Sequence, residues 1–296
     1  MGVRLGTNPI AWSNDDMQEL GGETPLETCL SDAREAGFQG IELGNKFPRE
    51  AAPLRKVLDA HDLELVSGWY SCELLTRSVA NEIKAIEAHM NLLRDMGCGV
   101  LILAETSNAI HGEKMTPIAN SPTLDAGDWK EFGQKISDLC DHVTANGLHV
   151  GYHHHMGTVV ETADEIDAFM SVTRDSVGLL LDTGHATYAG ADPLAIAKKY
   201  EGRITHFHAK DIRPNVLATA RANNRSFLDA VVAGVFTVPG DGCVNFGPIM
   251  DVLKSVDYRG WLVVEAEQDP AVANPRKYAE MGYGNLNKFA TDAGLV

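Results

Sequence analysis

The stretch VGLLLD, residues 177–182, is apolar on both of its faces and ends on a single carboxylate. Side chains alternate between the two faces of a strand, so a run without polar alternation is typical of a parallel strand that helices cover on both sides. Seven further apolar, strand-like runs occur along the chain. They are VRLGTN (3–8), GIELG (40–44), LELVSGW (63–69), GVLILAE (99–105), LHVGYHH (148–154), RITHFHA (203–209) and GWLVVEAE (260–267).

Helical patterns separate these eight strands. The segments TPLE (24–27) and TADE (162–165) have the spacing of a helix-capping box, and DPLA (192–195) pairs an Asp cap with Pro193. Eight strand–helix units predict one (β/α)8 TIM barrel domain over residues 1–296. An open doubly wound sheet is the alternative, and the lack of a GxGxxG motif after a strand weakens its dinucleotide-binding form.

The longest linker follows the seventh strand, from Asp211 to about Phe246. It contains a short helical pattern and the turn-rich sequence VPGDG (238–242). A barrel insertion of this length is usually functional, so we expect a cover over the active-site mouth.

Composition excludes several classes of function. The formal net charge of -16, without a basic cluster, argues against nucleic-acid binding. No apolar run is long enough for a membrane span, and the N-terminus passes directly into a strand pattern, so we expect neither a membrane protein nor a signal peptide. Five scattered cysteines indicate reduced thiols in a cytoplasmic protein. A homo-oligomer is compatible with these patterns.

Polar side chains concentrate at the carboxyl ends of the predicted strands, where barrel enzymes carry their active sites. Strands five to eight end in two histidines and two carboxylates, His153, Asp182, His208 and Glu265. Mixed nitrogen and oxygen ligands suit Mn²⁺, Co²⁺, Fe²⁺ or Zn²⁺ and leave positions for substrate oxygens. Each residue alone also has a structural explanation, as a buried hydrogen-bonding partner or a cap. Together they predict a divalent-metal site.

Seven more residues are candidates for the same site. We expect proton transfer from Lys210, Glu267, Glu105 or His185, and substrate binding by His155, Trp69 and Asn8. Alternation along the fifth strand places His153 and His155 on one face and sends His154 to the helix layer. Lys210 and Glu267 could equally be partners of one another, Trp69 could belong to the core, and His206 is expected to be structural.

Several motifs carry a resemblance to a known family. VGLLLDTGH, ITHFHAKD, PGDGCVNF and YRGWLVVEAE resemble consecutive signatures of the xylose-isomerase-like, or sugar isomerase/epimerase, barrels, and AREAGFQGIELG is similar to their second-strand entry. The segments GYHHHMGT (151–158), FTVPGDGC and VVEAEQDPAVANP are similar to the inosose dehydratase branch. The resemblance covers nearly the whole chain.

The resemblance implies one divalent ion, Mn²⁺ or Co²⁺, at the ends of strands five to eight. Its last three ligands match Asp182, His208 and Glu265, whereas the fifth-strand ligand is usually a glutamate and is His153 here. We favour His153 as the ligand, with His155 or a water as the alternative. The implied reaction removes water from 2-keto-myo-inositol (scyllo-inosose), a small polyhydroxylated cyclic ketone, to give a trihydroxycyclohexane-1,2-dione.

Three other functions are compatible with parts of the pattern. A divalent-metal ketose 3-epimerase or sugar isomerase needs the same ion, but no acid for a departing hydroxyl group. An abasic-site endonuclease uses extra histidines, but the charge of -16 opposes DNA binding. A sugar-binding barrel without catalytic activity would have no need of the metal ligand set.

Overall fold

The computed structural model describes residues 2–296 and contains ten strands. They are β1 (Arg4–Thr7), β2 (Gly40–Leu43), β3 (Glu64–Cys72), β4 (Val100–Glu105), β5 (His149–His153), β6 (Val177–Asp182), β7 (Ile204–Ala209), β8 (Asp211–Ile212), β9 (Phe236–Thr237) and β10 (Trp261–Val264). Strands β1 to β7 and β10 form a closed barrel, in which every neighbouring pair is parallel. The predicted (β/α)8 barrel is therefore confirmed, with each of the eight strands at its predicted place.

The segments between the strands are largely helical. The helices are α1 (Leu26–Ala36), α2 (Ala51–Asp59), α3 (Val79–Met96), α4 (Trp129–Ala145), α5 (Ala163–Val172), α6 (Thr183–Tyr188), α7 (Pro193–Lys199), α8 (Pro214–Ala222), α9 (Phe227–Val232), α10 (Phe246–Ser255) and α11 (Pro275–Asp292). The apolar faces of the helices other than α8 and α9 join the outward-facing residues of the strands in one large core cluster, so these helices cover the outside of the barrel. The apolar character of VGLLLD on both faces thus follows from burial on both sides, since every residue of β6 is buried.

Two of the three predicted helix starts are confirmed. The Thr162 side chain caps α5 in a reciprocal box with Glu165, and the Asp192 side chain accepts a hydrogen bond from the Leu194 amide at the start of α7. The predicted box at Thr24 is wrong. Pro25 has an extended conformation, with ψ at 148°, so α1 begins at Leu26 and Thr24 lies one residue too early to act as its cap.

The segment between β7 and α10 forms a small layer of its own. Strands β8 and β9 pair antiparallel, and α8 and α9 lie between them in the chain. Phe227 and Phe236 from this segment pack in a separate apolar cluster with Met156 and Tyr188 from the loops and helices that follow the barrel strands. The insertion therefore has a core that fixes it over the carboxyl ends of β5 and β6.

Asp211 holds the turn-rich loop of the insertion in place. Its buried carboxylate accepts hydrogen bonds from the backbone N–H groups of Ile212, Gly240, Gly242 and Val244. Burial raises the pKa of Asp211, although these N–H donors oppose the shift. The loop is thus fixed by a single side chain directly after Lys210.

Replacing Gly178 by alanine should destabilise the barrel. An added Cβ would lie 2.2 Å from Thr205 Cγ2 and 2.4 Å from the carbonyl oxygen of Val150, between β5 and β7. Overpacking of this kind costs about 1–3 kcal/mol, measurable by urea unfolding. Gly99→Ala is the matched control, because its Cβ would meet open space. Equal free energies of unfolding for the two variants would contradict the packing described here.

Candidate active site

A cavity of about 260 Å³ opens at the carboxyl ends of the barrel strands. Seven of the residues predicted from the sequence line it, namely Asn8, Trp69, His153, His155, His208, Glu265 and Glu267. The cavity has room for one small molecule, and its walls combine aromatic rings with titratable groups. Such a concave site with a few convergent polar groups is the usual form of a small-molecule active site.

Four of these strand-end residues form a tight cluster. His153, Asp182, His208 and Glu265 each offer one ligand atom, and these atoms lie within 4.8 Å of one another. None of the four residues is more than 5% exposed. The barrel places them together because β5, β6 and β7 are neighbours, while Glu265 follows β10, which pairs with β7.

Hydrogen bonds outside the cluster orient both imidazoles. His153 Nδ1 lies 2.7 Å from the carbonyl oxygen of His154, which can only accept, so His153 donates there and its Nε2 lone pair is free. His208 Nε2 lies 3.2 Å from a carboxylate oxygen of Glu42, so His208 donates there and Nδ1 faces the cluster. Histidines that bind metal ions are commonly held by such contacts at their second nitrogen.

The ligand atoms that face one another inside the cluster lie close together, and hydrogen bonds satisfy them only in part. Within residues 2–296, no hydrogen bond reaches Asp182 Oδ2 or His208 Nδ1, although both atoms are buried. Asp182 Oδ2 is 3.7 Å from His153 Nε2 and 3.5 Å from His208 Nδ1, while His208 Nδ1 is 2.6 Å from Glu265 Oε2. Carboxylate oxygens and imidazole nitrogens packed this closely, two of them without a well-formed hydrogen bond, suit the ligand set of a divalent ion.

The electrostatics of the cluster lead to the same conclusion. Burial alone would lower the pKa of His208, yet the carboxylates of Glu265 and Glu42 raise it well above its usual value. Burial would raise the pKa of Glu265, yet Lys210 and His208 hold it well below its usual value. The site therefore attracts positive charge at the point where the four ligand atoms meet.

Lys210 supplies a fixed positive charge beside the cluster. Its ammonium lies 2.6 Å from Glu265 Oε1, 2.7 Å from Glu267 Oε1 and 3.0 Å from His185 Nε2. Burial opposes ionisation, but the carboxylates of Glu265, Glu267 and Asp182 outweigh it and raise the pKa of Lys210. Lys210 and His185 are fully buried and do not line the cavity, so they act on the site through their neighbours.

Glu267 lines the cavity, and one of its two carboxylate oxygens has no hydrogen-bond partner within residues 2–296. Oε1 accepts the hydrogen bond from Lys210, whereas Oε2 is buried and has no partner within residues 2–296. Burial and the nearby Glu265 raise the pKa of Glu267 to about 7, against the opposing effect of Lys210. Among the four predicted proton-transfer residues, Glu267 alone lines the cavity.

His155 is a second acid–base residue that lines the cavity and has one side-chain atom outside its hydrogen bonds. Its Nδ1 lies 2.7 Å from the carbonyl oxygen of Met156, so Nε2 is the free nitrogen. Burial, followed by the neighbouring imidazole of His111, holds the pKa of His155 well below its usual value, so the His155 ring is neutral. His155, His185 and Glu267 offer ligand atoms within 4.8 Å of one another, and Phe227 packs edge-on against His155.

The structure contradicts the expectation for Glu105 and agrees with the one for His154. Glu105 does not line the cavity, because its carboxylate turns away to accept hydrogen bonds from the backbone N–H groups of Leu74 and Ser107. His154 does not line it either, as expected, and its Nε2 accepts a hydrogen bond from the Asp182 amide. Glu105 thus holds two loops together and is not near the reacting atoms.

Sequence reasoning left other cavity residues out of the site. Asp15 and Asp16 come from the loop after β1 and His111 from the loop after β4, where no periodic pattern marks a side chain as inward-facing. The Lys114–Glu19 ion pair joins these two loops. Glu42 lies in the predicted strand GIELG (40–44), but its contacts with His206 and His208 depend on the closure of the barrel.

The fold and the cluster define a class of protein: a parallel (β/α)8 barrel with a candidate metal site at its carboxyl end. The sequence profile of the "Xylose isomerase-like TIM barrel" family matches residues 30–287. Among solved structures, the IolI protein with a bound zinc atom has a TM-score of 0.66 at 16% identity, covering 98% of each chain. That likeness shows the fold.

Curated relatives are much closer in sequence. The chain is 49% identical over 295 residues to the rhizopine catabolism protein MocC of Rhizobium meliloti, covering all of this chain and 91% of the relative. It is 44% identical over 279 residues to the inosose dehydratase of Bacillus cereus strain AH820, covering 94% of both. The chain therefore belongs to the inosose dehydratase family of xylose isomerase-like TIM barrels. Within residues 2–296, no helix has the length and apolarity needed to cross a membrane.

Proposed function

We propose that this protein is an inosose dehydratase, a hydro-lyase that removes water from 2-keto-myo-inositol (scyllo-inosose) in inositol catabolism. The observation that carries the proposal is a single cavity lined both by Glu267 and by three residues of the candidate metal cluster, His153, His208 and Glu265. The 44% identity to named inosose dehydratases over 94% of the chain supports it. The product is a trihydroxycyclohexane-1,2-dione.

The residues that would hold the metal ion are His153 Nε2, Asp182 Oδ2, His208 Nδ1 and Glu265 Oε2. When bound, a divalent ion supplies Lewis-acid polarisation of the substrate's ketone and hydroxyl oxygens. Two neutral nitrogens and two carboxylates suit Mn²⁺ or Co²⁺, and we propose these as the native ions.

The chain's own groups move the protons. Dehydration breaks a C–H bond beside the ketone and the C–O bond of the neighbouring carbon, so one group must accept a proton and one must deliver a proton to the departing hydroxyl. Glu267 and His155 both line the cavity, and each keeps one acid–base atom outside its own hydrogen bonds, Oε2 of Glu267 and Nε2 of His155, so we propose these two atoms as the pair. Lys210 holds the other oxygen of Glu267 in place, while Trp69 and Asn8 line the space for the ring.

Further properties follow from the composition and the fold. We propose that the chain works as one domain, with the insertion at about 211–246 as a fixed cover that excludes water from the buried side of the site. The five cysteines are free within residues 2–296, which supports a cytoplasmic location. The net charge of -16 supports a small neutral substrate over a nucleic acid.

One relative favours a second candidate function. The identity to a rhizopine catabolism protein, at 49%, is higher than the identity to the inosose dehydratases. The same site could therefore act in the breakdown of rhizopine. Rhizopine belongs in the activity assay as a second substrate.

The metal proposal predicts roughly one divalent ion per chain in the purified protein, since single-ion Lewis-acid catalysis needs no more. His153→Gln should lose the ion on dialysis, because it removes one nitrogen ligand. His154→Gln is the matched control on the adjacent residue and should retain the ion. Elemental analysis by mass spectrometry measures both. Equal metal content in the two variants would show that His153 is not a ligand.

The dehydratase proposal predicts that the mass of inosose falls by one water and that no epimer accumulates. Glu267→Gln should lower kcat by about 10²-fold or more, the scale of a lost general acid or base. Glu105→Gln changes a buried carboxylate outside the cavity and should retain kcat within a few-fold.

Three outcomes of that assay would overturn the assignment in different ways. Epimerisation of a ketose with no turnover of inosose would refute the dehydratase assignment, and only the barrel fold and the metal cluster would remain supported. Turnover of rhizopine without turnover of inosose would favour the second candidate. A Glu105→Gln defect as large as that of Glu267→Gln would remove the proposed role of Glu267.

A further inference from the structure

Glu42 is a buried carboxylate at the end of β2 that receives three side-chain hydrogen bonds. Asn8 donates to Oε2 at 2.7 Å, while His206 and His208 donate to Oε1 at 2.8 Å and 3.2 Å. The Glu42 residue is only 2% exposed. A carboxylate offers acceptors only, so both histidines must carry a proton on the nitrogen that faces it.

These contacts determine which nitrogen of His208 is available to the cluster. With Nε2–H donated to Glu42, the nitrogen that points toward Asp182 and Glu265 is Nδ1. Without that acceptor, a neutral imidazole could carry its proton on Nδ1. Nδ1 would then have no lone pair with which to bind a metal ion. The hydrogen bond also raises the basicity of the free nitrogen.

Glu42, His206 and His208 could themselves be considered a metal site, since their ligand atoms also lie within 4.8 Å of one another. Their hydrogen-bond contacts argue against it. The atoms of this trio already satisfy one another through N–H donors, whereas Asp182 Oδ2 and His208 Nδ1 in the first cluster have no partner within residues 2–296. Of these two clusters within residues 2–296, the first alone contains buried ligand atoms without a hydrogen bond.

We propose that Glu42 is a positioning residue for the metal ion. It holds His208 with its proton on Nε2 and so presents Nδ1 to the ion, while His206 and Asn8 hold Glu42. The proposal rests on the metal site of the proposed function. Glu42 also lines the cavity. Both of its oxygens accept hydrogen bonds from N–H donors, so we assign it an effect through His208 and no direct contact with the substrate.

The test is the Mn²⁺ affinity of protein stripped with EDTA, measured by isothermal titration calorimetry. Glu42→Gln should raise the dissociation constant by about 10- to 100-fold, the usual effect of losing the partner of a metal-binding histidine. Glu82→Gln is the matched control. Glu82 is equally buried and accepts hydrogen bonds from Tyr70 and Arg77, but it does not line the cavity.

Each outcome bears on the proposal. An unchanged affinity in folded Glu42→Gln protein, or an equal loss in Glu82→Gln, overturns it. Absence of Mn²⁺ binding by the unmodified protein overturns the metal site itself. This outcome is distinct from failure of the Glu42 proposal, in which the unmodified protein still binds Mn²⁺.

A second measurement needs no variant and serves if Glu42→Gln does not fold. Long-range ¹H–¹⁵N spectra of the Zn²⁺-loaded protein report the state of each His208 nitrogen. The proposal expects a proton on Nε2 and the metal-bound shift on Nδ1. The opposite assignment overturns it.

Discussion

The ammonium of Lys210 is the fixed charge on which the arrangement of the site depends. Asp182, Glu265 and Glu267 lie around it, with its nitrogen 2.6–3.7 Å from their oxygens, and all four side chains are buried. Removing one member of a buried ion pair costs about 3–5 kcal/mol, because the remaining charge has no compensation. One ammonium cannot balance three carboxylates, so the site retains an excess of negative charge that a divalent ion would neutralise.

Backbone carbonyl oxygens orient the imidazole rings of His153 and His155. The carbonyl oxygens of His154 and Met156 fix the protons of His153 and His155, and both carbonyls belong to the turn that follows β5. The three consecutive histidines therefore have different roles because their side chains point in different directions. His153 and His155 face the cavity, and His154 instead receives the amide of Asp182 from the next strand.

Much of this fold could be predicted from the sequence, because parallel strands covered on both sides leave a strong apolar signal. The candidate metal cluster was also predictable, since strand ends in a barrel meet at one face. The sequence could not rank Glu105, Lys210 and Glu267, because the direction of each depends on neighbouring strands and on backbone donors such as the Leu74 amide. The loop residues Asp15 and His111 carry no periodic signal at all.

The residue at the end of β5 changes the charge of the proposed metal site. A divalent ion held by Asp182, Glu265 and two imidazoles would be formally neutral, whereas a third carboxylate in place of His153 would make the set an anion. The neutral set leaves the ion better able to draw electrons from a ketone oxygen, a demand that isomerisation and elimination share. Elimination needs, in addition, a proton for the departing hydroxyl. Glu267, held at one oxygen by Lys210 and without a partner at the other, is the residue that we propose for that proton transfer.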